Sequence, residues 1–356
     1  MTPRPRHIAA ALAAGLALAS GSAVAETVKL TILAASPVTV TPTTVARDYI
    51  VPEINKRLAA SGKDFKIDWN ESYGPNLAKF TEVLEAVEEG IAHIAVLLRN
   101  FEESKLPLEQ YPSFIPFGIT DPQKMYAIDG KVRARVPELD TAYEKFGLLL
   151  IGRANSSSPH IFTTFPIKTV DDLKGHKIGS SGAMGHVLRG TGAVIVTANM
   201  AQSYVDIKNG VYEGYTIGEG QAFPYRTYEV AQHFTKTYFG VTNIPAVIAN
   251  KSTLAKLPDF VQKIIHDVGA GYGEAYHALD ARRVKENTEA MVKKGAKIHE
   301  LPFEERKRWA SMMPNIAKEW AADMDKQGLP GTKILSAYMD EVRASGEPVV
   351  RNWDKE

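Results

Sequence analysis

The sequence contains no cysteine among its 356 residues. Disulfide frameworks, cysteine-ligated zinc sites and thiol nucleophiles are therefore excluded. An excess of charge is also absent, because 42 basic and 41 acidic residues leave a formal net charge of +1. Nucleic-acid binding needs a basic surface, and this balance gives no electrostatic reason to expect it. With 44% hydrophobic and 23% charged residues the chain is too apolar to be disordered, and its length suits about two domains.

Motifs for catalysis and for cofactors are missing as well. The nine histidines form no H-E-x-x-H or H-x-H pair from which a zinc site could be built. Residues 179–183 read G-S-S-G-A, which is not the G-x-S-x-G order of a nucleophile elbow, and the nearby glycine spacing does not fit a dinucleotide or phosphate loop. We therefore expect no enzyme, no cofactor and no metal. A secreted hydrolase is the alternative, and it would need a nucleophile–base pair that the sequence does not show.

Long apolar runs are absent, with one short exception near the N-terminus. Residues 8–19 are apolar, two arginines precede them, and A-V-A at 23–25 precedes Glu26. This is the layout of a cleaved secretory signal peptide. A membrane anchor is the rival interpretation, but 12 apolar residues are fewer than the roughly 20 that a spanning helix needs. We predict a signal peptide over 1–25 and a soluble, exported protein in the periplasm.

The first half of the chain alternates strands and helices. β-branched or apolar runs predict strands at 28–34, 64–70 and 91–98, and apolar spacing predicts helices at 43–59 and between 76 and 90. This β-α-β-α-β order predicts a parallel sheet covered by helices. Such sheets bind ligands at the carboxyl ends of their strands, which here fall near residues 36, 73 and 98–100.

The second half repeats this style without repeating the sequence. Short strands are predicted at 148–151, 176–178 and 215–217. A long helix is predicted over 258–294, with a kink or break at the glycines of 269–273 because each costs about 1 kcal/mol in a helix. A single helix is predicted over 303–326, and the last ten residues are expected to be loosely held.

Aromatic residues are concentrated in one stretch. Nine of them, six being tyrosine, lie between residues 204 and 239. Aromatic side chains dominate ordinary cores, so core packing is one interpretation. Ligand pockets are also mostly apolar with a few polar groups, so a ligand cleft is the other.

Several segments, in order, resemble one protein family. Residues 168–178 read K-T-V-D-D-L-K-G-H-K-I, 115–117 read I-P-F, and 228–232 read Y-E-V-A-Q. These and four further segments resemble the extracytoplasmic solute-binding subunits of tripartite ATP-independent periplasmic (TRAP) transporters. The resemblance covers essentially the whole chain after residue 25.

The resemblance implies an α/β, two-lobed periplasmic-binding-protein fold. Each lobe would be a mixed sheet flanked by helices, joined to the other by hinge strands and a long spanning helix. The implied limits are 26–154 and 244–282 for lobe 1, 155–243 and 283–330 for lobe 2, and 331–356 for a C-terminal helix and tail. A small-molecule ligand would bind between the lobes and be delivered to integral membrane permease subunits, with no cofactor. A ligand-dependent sensory protein with the same fold is a further alternative.

The binding residues depart from the family pattern. The family usually has an arginine after K-I that clamps a substrate carboxylate, and here Gly179 occupies that position. A second family arginine corresponds to His160, and a family asparagine falls at about Ile217, with Thr216 and Glu219 beside it. Either Arg99 or the hydroxyls and amides at 180–181 hold an acid instead, or the ligand is less acidic, larger or aromatic. We expect an organic acid with an apolar or aromatic body.

The candidate ligand-binding residues are those at predicted strand ends, at the family positions and in the aromatic stretch. They are Ser36, Tyr73, Asn76, Leu98, Arg99, His160, Gly179, Ser180, Ser181, Tyr204, Tyr215, Thr216, Glu219 and Asn243.

Overall fold

The computed structural model describes residues 26–356, so the predicted signal peptide lies outside the described residues. Within this range the chain forms eleven strands in two sheets, with helices between them. The strands are β1 (Glu26–Ala34), β2 (Phe65–Tyr73), β3 (Ile94–Leu98), β4 (Leu148–Arg153), β5 (Pro159–Thr163), β6 (Lys177–Ser180), β7 (Val194–Thr197), β8 (Gly214–Gly218), β9 (His233–Lys236), β10 (Pro245–Asn250) and β11 (Lys297–Glu300).

The first sheet has five strands in the order β2-β1-β3-β10-β4. β1 runs parallel to β2, with Glu26 opposite Phe65, and parallel to β3, with Ile32 opposite Ile94. β10 is antiparallel to both β3 and β4. The predicted parallel β-α-β-α-β unit is thus confirmed, and the late strand β10 makes the sheet mixed.

The second sheet has six strands in the order β11-β9-β5-β8-β6-β7. β6 is parallel to β7 and β8, whereas β5 is antiparallel to its two neighbours. Two mixed sheets flanked by helices confirm the predicted fold class. In the first sheet β1 is parallel to β3, and in the second β6 is parallel to β8. The carboxyl ends of parallel neighbours lie at the same edge of a sheet, so each sheet has an edge of strand ends at which a ligand can bind.

Fifteen α-helices accompany these strands, with a π-helical turn at Ala46–Ile50. They are α1 (Thr41–Val45), α2 (Val51–Ala60), α3 (Val83–Glu88), α4 (Tyr111–Phe114), α5 (Pro122–Arg135), α6 (Glu138–Thr141), α7 (Ser203–Lys208), α8 (Glu219–Ala222), α9 (Thr227–Val230), α10 (Lys251–Leu254), α11 (Asp259–Ala270), α12 (Tyr272–Lys293), α13 (Phe303–Met312), α14 (Ile316–Lys326) and α15 (Gly331–Ala344). Short 3-10 turns include Phe80–Glu82, Arg99–Phe101, Val170–Leu173 and Gly182–Leu188.

The predicted break in the long helix lies between α11 and α12, at Gly271. The neighbouring glycines also allow the helices to approach strand β4 closely. A Cβ atom on Gly269 would lie 2.4 Å from the carbonyl oxygen of Ile151, and one on Gly273 would lie 2.8 Å from that of Arg153. Any larger residue would push the helix away from the strand, so these glycines serve packing as well as the break.

Two helix predictions were wrong. The single helix expected over 303–326 is two helices, because the chain is extended at Met313 and α14 begins anew after Asn315, whose side chain accepts a hydrogen bond from the Lys318 amide. The helix expected between 76 and 90 is shorter than predicted, because α3 spans only Val83–Glu88. Asn76 is exposed and lies before it, and the helical turn that precedes α3 starts after Lys79, whose amide donates to the Glu82 carboxylate over 2.9 Å.

The C-terminal tail is held firmly, which corrects the expectation that it is loose. Trp353 is 1% exposed and its indole N–H donates to the carbonyl oxygen of Pro116 over 3.0 Å. Asp354 pairs with Arg343 of α15 at 2.9 Å. The tail therefore contributes a large aromatic side chain to the core.

The largest hydrophobic core joins segments that are distant in sequence. It includes Tyr111, Val132, Ile161, Trp309 and Tyr338. A separate core, with residues such as Ile32 and Tyr276, lies against the first sheet. Because residues near 108–139 share a core with strands of the second sheet, the lobe limits given above stay a prediction.

Buried charges connect the end of β3 with helix α5 and strand β4. Arg99 donates to a carboxylate oxygen of Glu109 over 2.8 Å, and Arg133 donates to the same oxygen over 2.6 Å. Asp129 in turn accepts from Arg133 over 2.8 Å and from Arg153 over 2.6 Å. These side chains are almost entirely buried, apart from part of Arg153. The network thus alternates three guanidinium groups with two carboxylates.

Neutral side chains complete the hydrogen bonding of both carboxylates. The hydroxyl of Tyr143 donates to Glu109 over 2.9 Å, while the hydroxyl of Tyr111 and the amide of Asn243 donate to Asp129 over 2.9 and 3.1 Å. Burial alone would raise the pKa of Glu109, but Arg133 and Arg99 outweigh burial and hold that pKa below its usual range. Both acids are therefore ionised at neutral pH.

We predict that Glu109→Gln lowers the free energy of unfolding by about 3–5 kcal/mol, the loss typical when one partner of a buried ion pair is removed. The substitution leaves Arg99 and Arg133 buried with one carboxylate fewer. Urea denaturation followed by circular dichroism measures the change. The matched control is Glu53→Gln, which removes a half-buried surface carboxylate paired with Lys56 and Arg57; equal losses in both variants would contradict the prediction.

Candidate ligand-binding site

A cavity lies where strand ends of the two sheets face each other. Its empty volume is about 860 Å³. The first sheet contributes Ser36 after β1 and Leu98 at the end of β3, and the second contributes Ser181 after β6 and Thr216 in β8. Tyr276 of α12 closes one side. The alternation of strands and helices brings these carboxyl ends together, which is why residues distant in sequence share one wall.

The walls of this cleft carry hydroxyl groups, amides and apolar surface. Within residues 26–356, no Asp, Glu, Lys, Arg or His side chain lines it. The polar lining residues include Ser36, Asn100, Ser113, Ser156, Ser157, Ser181, Thr216, Gln221, Tyr225, Thr242 and Tyr276. Such a surface can donate and accept hydrogen bonds but offers a ligand no formal charge.

Three polar atoms of residues that line the cleft are buried without a hydrogen-bond partner among the described residues. They are the side-chain oxygen of Asn100 and the hydroxyls of Ser157 and Tyr276. Tyr276 is 0% exposed, and burial raises the pKa of its phenol well above the usual value, so the hydroxyl stays neutral. Unpaired buried polar groups are rare in native proteins because each is costly. A bound ligand can supply hydrogen bonds to these atoms.

The position of the family arginine, Gly179, cannot hold a larger side chain in this fold. A Cβ atom there would lie 2.7 Å from the ring of Tyr215 and 2.8 Å from the ring of Tyr212. Tyr215 is fully buried, and its hydroxyl donates to the carbonyl oxygen of Ala198 over 3.1 Å. Two tyrosine rings therefore occupy the space that an arginine side chain would need.

Core packing and a ligand cleft each account for part of the aromatic stretch. Tyr212, Tyr215, Tyr228 and Phe234 pack together in one core, whereas Tyr225 lines the cleft. Tyr204 lies half-buried at the surface, where the cations of Lys208 and Arg226 lie over its ring. Core packing thus explains most of this stretch.

His160 and Glu219 lie in a different cavity. This second cavity is also lined by Lys236, whose ammonium group pairs with Glu219 at 3.0 Å. The ring of His160 accepts a hydrogen bond from the Tyr238 amide over 3.3 Å. Burial, reinforced by Lys236, lowers the pKa of His160 to about 3. The imidazole is therefore neutral at pH 7 and does not replace the charge of the family arginine.

The remaining candidates are engaged elsewhere. Arg99 and Asn243 belong to the buried charge network, and the guanidinium of Arg99 also donates to the carbonyl oxygens of Ala154 and Pro245. Tyr73 is half-buried and donates to Glu71. Of the candidates, the structure brings together Ser36, Leu98, Ser181 and Thr216 at the cleft, with Ser180 behind them as the hydrogen-bond partner of Thr216.

Sequence reasoning missed several lining residues. Asn100 follows Leu98 at the same strand end, and the serines at 156 and 157 follow β4, so strand-end position was a signal for both. Tyr276 gave no such signal, since its four-residue spacing from Tyr272 fits a buried helix face. Among the described residues there is no cluster of three or more potential metal ligands, and no helix has the length and apolarity to cross a membrane.

Solved structures share this fold at low sequence identity. A TRAP periplasmic solute-binding protein from Sulfitobacter sp. NAS-14.1 with bound β-D-galacturonate has a TM-score of 0.74 and 17% identity, covering 87% of this chain and 99% of that chain. A Bordetella pertussis extracytoplasmic solute receptor binding pyroglutamic acid has a TM-score of 0.71 and 20% identity, with the same coverage. A protein from Chromohalobacter salexigens with bound D-glucuronate has a TM-score of 0.74 and 16% identity, covering 89% and 99%.

Sequence comparison gives the family. A curated solute-binding protein from Sulfitobacter sp. strain NAS-14.1 is 26% identical over 195 residues, which are 54% of this chain and 58% of that relative. The chain thus matches little more than half of that relative's length. The family model described as "Bacterial extracellular solute-binding protein, family 7" matches residues 75–323. This match covers more than half of the chain and confirms the resemblance seen in the motifs: the chain belongs to the bacterial extracellular solute-binding proteins of family 7.

Proposed function

We propose that this protein captures a small organic solute in the cleft between the two sheets and delivers it unchanged to TRAP-type membrane permease subunits. The observation that carries the proposal is the cleft at converging strand ends, with the unpaired hydroxyl of Tyr276 and the unpaired oxygen of Asn100 at its wall. Family membership supports the transport role and the extracytoplasmic location.

Binding without conversion fits the wall chemistry. Serine and threonine hydroxyls line the cleft, but within the described residues no histidine, aspartate, glutamate or lysine lines it beside them. A hydroxyl nucleophile needs an adjacent base for its activation. The hydrolase alternative therefore gains no support from this site.

The connections between the two sheets support hinge closure around the ligand. Two chain segments pass between the sheets and lie beside each other. Ser156 of one segment forms an isolated β-bridge with Thr242 of the other, and the side-chain amide of Asn155 donates to the side-chain oxygen of Asn243. Helix α12 also spans both parts, with Tyr276 in the core of the first sheet and Met291 in the core of the second. We infer that these segments form the hinge and that the lobes comprise 26–154 with 244–282 and 155–243 with 283–330.

We predict that a cognate solute raises the melting temperature and compacts the molecule. A ligand that binds only the folded state at 100 times its dissociation constant adds about 2.7 kcal/mol to the free energy of unfolding. A thermal-shift screen of organic acids, aromatic acids, amides and polyols finds the ligand, and small-angle scattering then tests closure. Chemical conversion of the ligand, or an unchanged scattering curve at saturation, would contradict the proposal.

We predict that the exported protein begins at Glu26. The small residues at 23–25 form the cleavage site, and removal of residues 1–25 gives a defined decrease in mass. Intact-mass measurement of protein from the periplasmic fraction checks the position. Replacing Ala23 and Ala25 with bulky leucines is expected to leave the unprocessed mass attached to the membrane fraction; processing at an unrelated position would refute the assignment.

A further inference from the structure

We infer that the ligand of this cleft is uncharged: a neutral organic molecule that accepts a hydrogen bond from the hydroxyl of Tyr276 and offers an O–H or N–H group to the side-chain oxygen of Asn100. The inference rests on the proposed function, because it names the ligand class of the same cleft. It differs from the organic acid that the sequence led us to expect, and it also differs from the acids bound in the relatives.

The first argument is the absence of a cation where a carboxylate would be enclosed. Among residues 26–356, none of the side chains lining the cleft carries a formal charge. Moving a carboxylate from water into such a site without a paired cation carries a large desolvation cost. Neutral hydroxyls and amides compensate that cost only partly, so the site favours a molecule with no charge to desolvate.

The second argument is that Arg99, the arginine next in sequence to a lining residue, cannot turn into the cleft at little cost. Arg99 follows Leu98, which lines the cleft, yet the Arg99 guanidinium donates to Glu109 and to the carbonyl oxygens of Ala154 and Pro245. It is 1% exposed. Turning it toward a ligand would break these bonds and leave Glu109 with one cation fewer in the interior.

The third argument concerns the site of the missing arginine. A Cβ atom at Gly179 would contact the rings of Tyr212 and Tyr215, and the hydroxyl of Tyr215 is bonded to the backbone of Ala198. The rings therefore form part of the packed core, and no repacking of one side chain restores the arginine geometry. The packing of the second sheet therefore excludes an arginine side chain at position 179.

The remaining polar groups define what the ligand must offer. Tyr276 supplies a neutral hydroxyl, and Asn100 supplies an amide oxygen, both without hydrogen-bond partners among residues 26–356. Apolar contacts come from residues such as Leu98, Met184 and Ile217. A molecule with one acceptor, one donor and an apolar body, such as an amide, a lactam, an ester or a hydroxylated ring, matches this wall.

Matched neutral and anionic ligands test the inference. Thermal shift and calorimetry would compare β-D-galacturonate with its methyl ester, pyroglutamate with its primary amide, and benzoate with benzamide and benzyl alcohol. We expect the neutral member of a recognised pair to bind at least about tenfold more tightly than the anion at pH 7. Equal or tighter binding of the anion would overturn the inference and leave the proposed function intact.

Tyr276→Phe tests the contact itself, with Tyr272→Phe as the matched control. Tyr272 lies one turn earlier on α12 in the same core, and its hydroxyl contacts the backbone of Pro42 instead of lining the cleft. We expect Tyr276→Phe to weaken binding of the neutral ligand at least tenfold without lowering the unliganded melting temperature, since the lost hydroxyl has no partner. Tyr272→Phe should leave the affinity within twofold.

The outcomes separate the two proposals. Unchanged affinity in Tyr276→Phe would refute the assigned contact, while closure in scattering would still support the proposed function. If no member of any pair changes the melting temperature or the scattering curve, the result counts against solute capture itself, and the charge preference fails with it.

Discussion

The buried charge network around Glu109 and Asp129 is the constraint on which the cleft depends. It ties the end of β3, helix α5 and the end of β4 to one another through three arginines. Breaking a buried ion network is much more costly than losing a surface pair, so these strand ends are fixed before any ligand arrives. The same network also determines the chemistry of the cleft, because it holds Arg99, the cation that directly follows a lining residue, away from it.

Gly179 and its neighbours show how a departure from the family pattern is fixed by the surrounding packing. Without a side chain at this position, the rings of Tyr212 and Tyr215 pack directly against strand β6. Aromatic packing therefore occupies the place where the family pattern has an arginine. His160, at the position matched to the second arginine of that pattern, is likewise buried, neutral and bonded to the Tyr238 amide.

The fold was predictable from the sequence because hydrophobic patterns are local. The run 28–34 lies in β1, most of the run 91–98 forms β3, and the helix break lies at the glycines near 271. Side-chain direction is not local. Arg99 was expected in the cleft because it follows β3, but Glu109 and two backbone carbonyls determine where its guanidinium lies. The burial of Trp353 likewise depends on the carbonyl of Pro116, far away in the sequence. The position of Tyr276 at the cleft could not be predicted from the sequence, because its spacing from Tyr272 also fits an ordinary core position.

The position of Tyr276 connects ligand binding with closure. Its helix, α12, has one end in the core of the first sheet and the other in the core of the second, so a group bound there lies beside the element that both parts share. A ligand shifts an open–closed equilibrium only through contacts that differ between the two states. Ser36 and Leu98 on one side, with Ser181 and Thr216 on the other, are contacts that a single molecule can make together only when both walls reach it. Since none of these groups is charged, closure must derive from hydrogen bonds and apolar burial, which act at short range and so demand a close fit in shape.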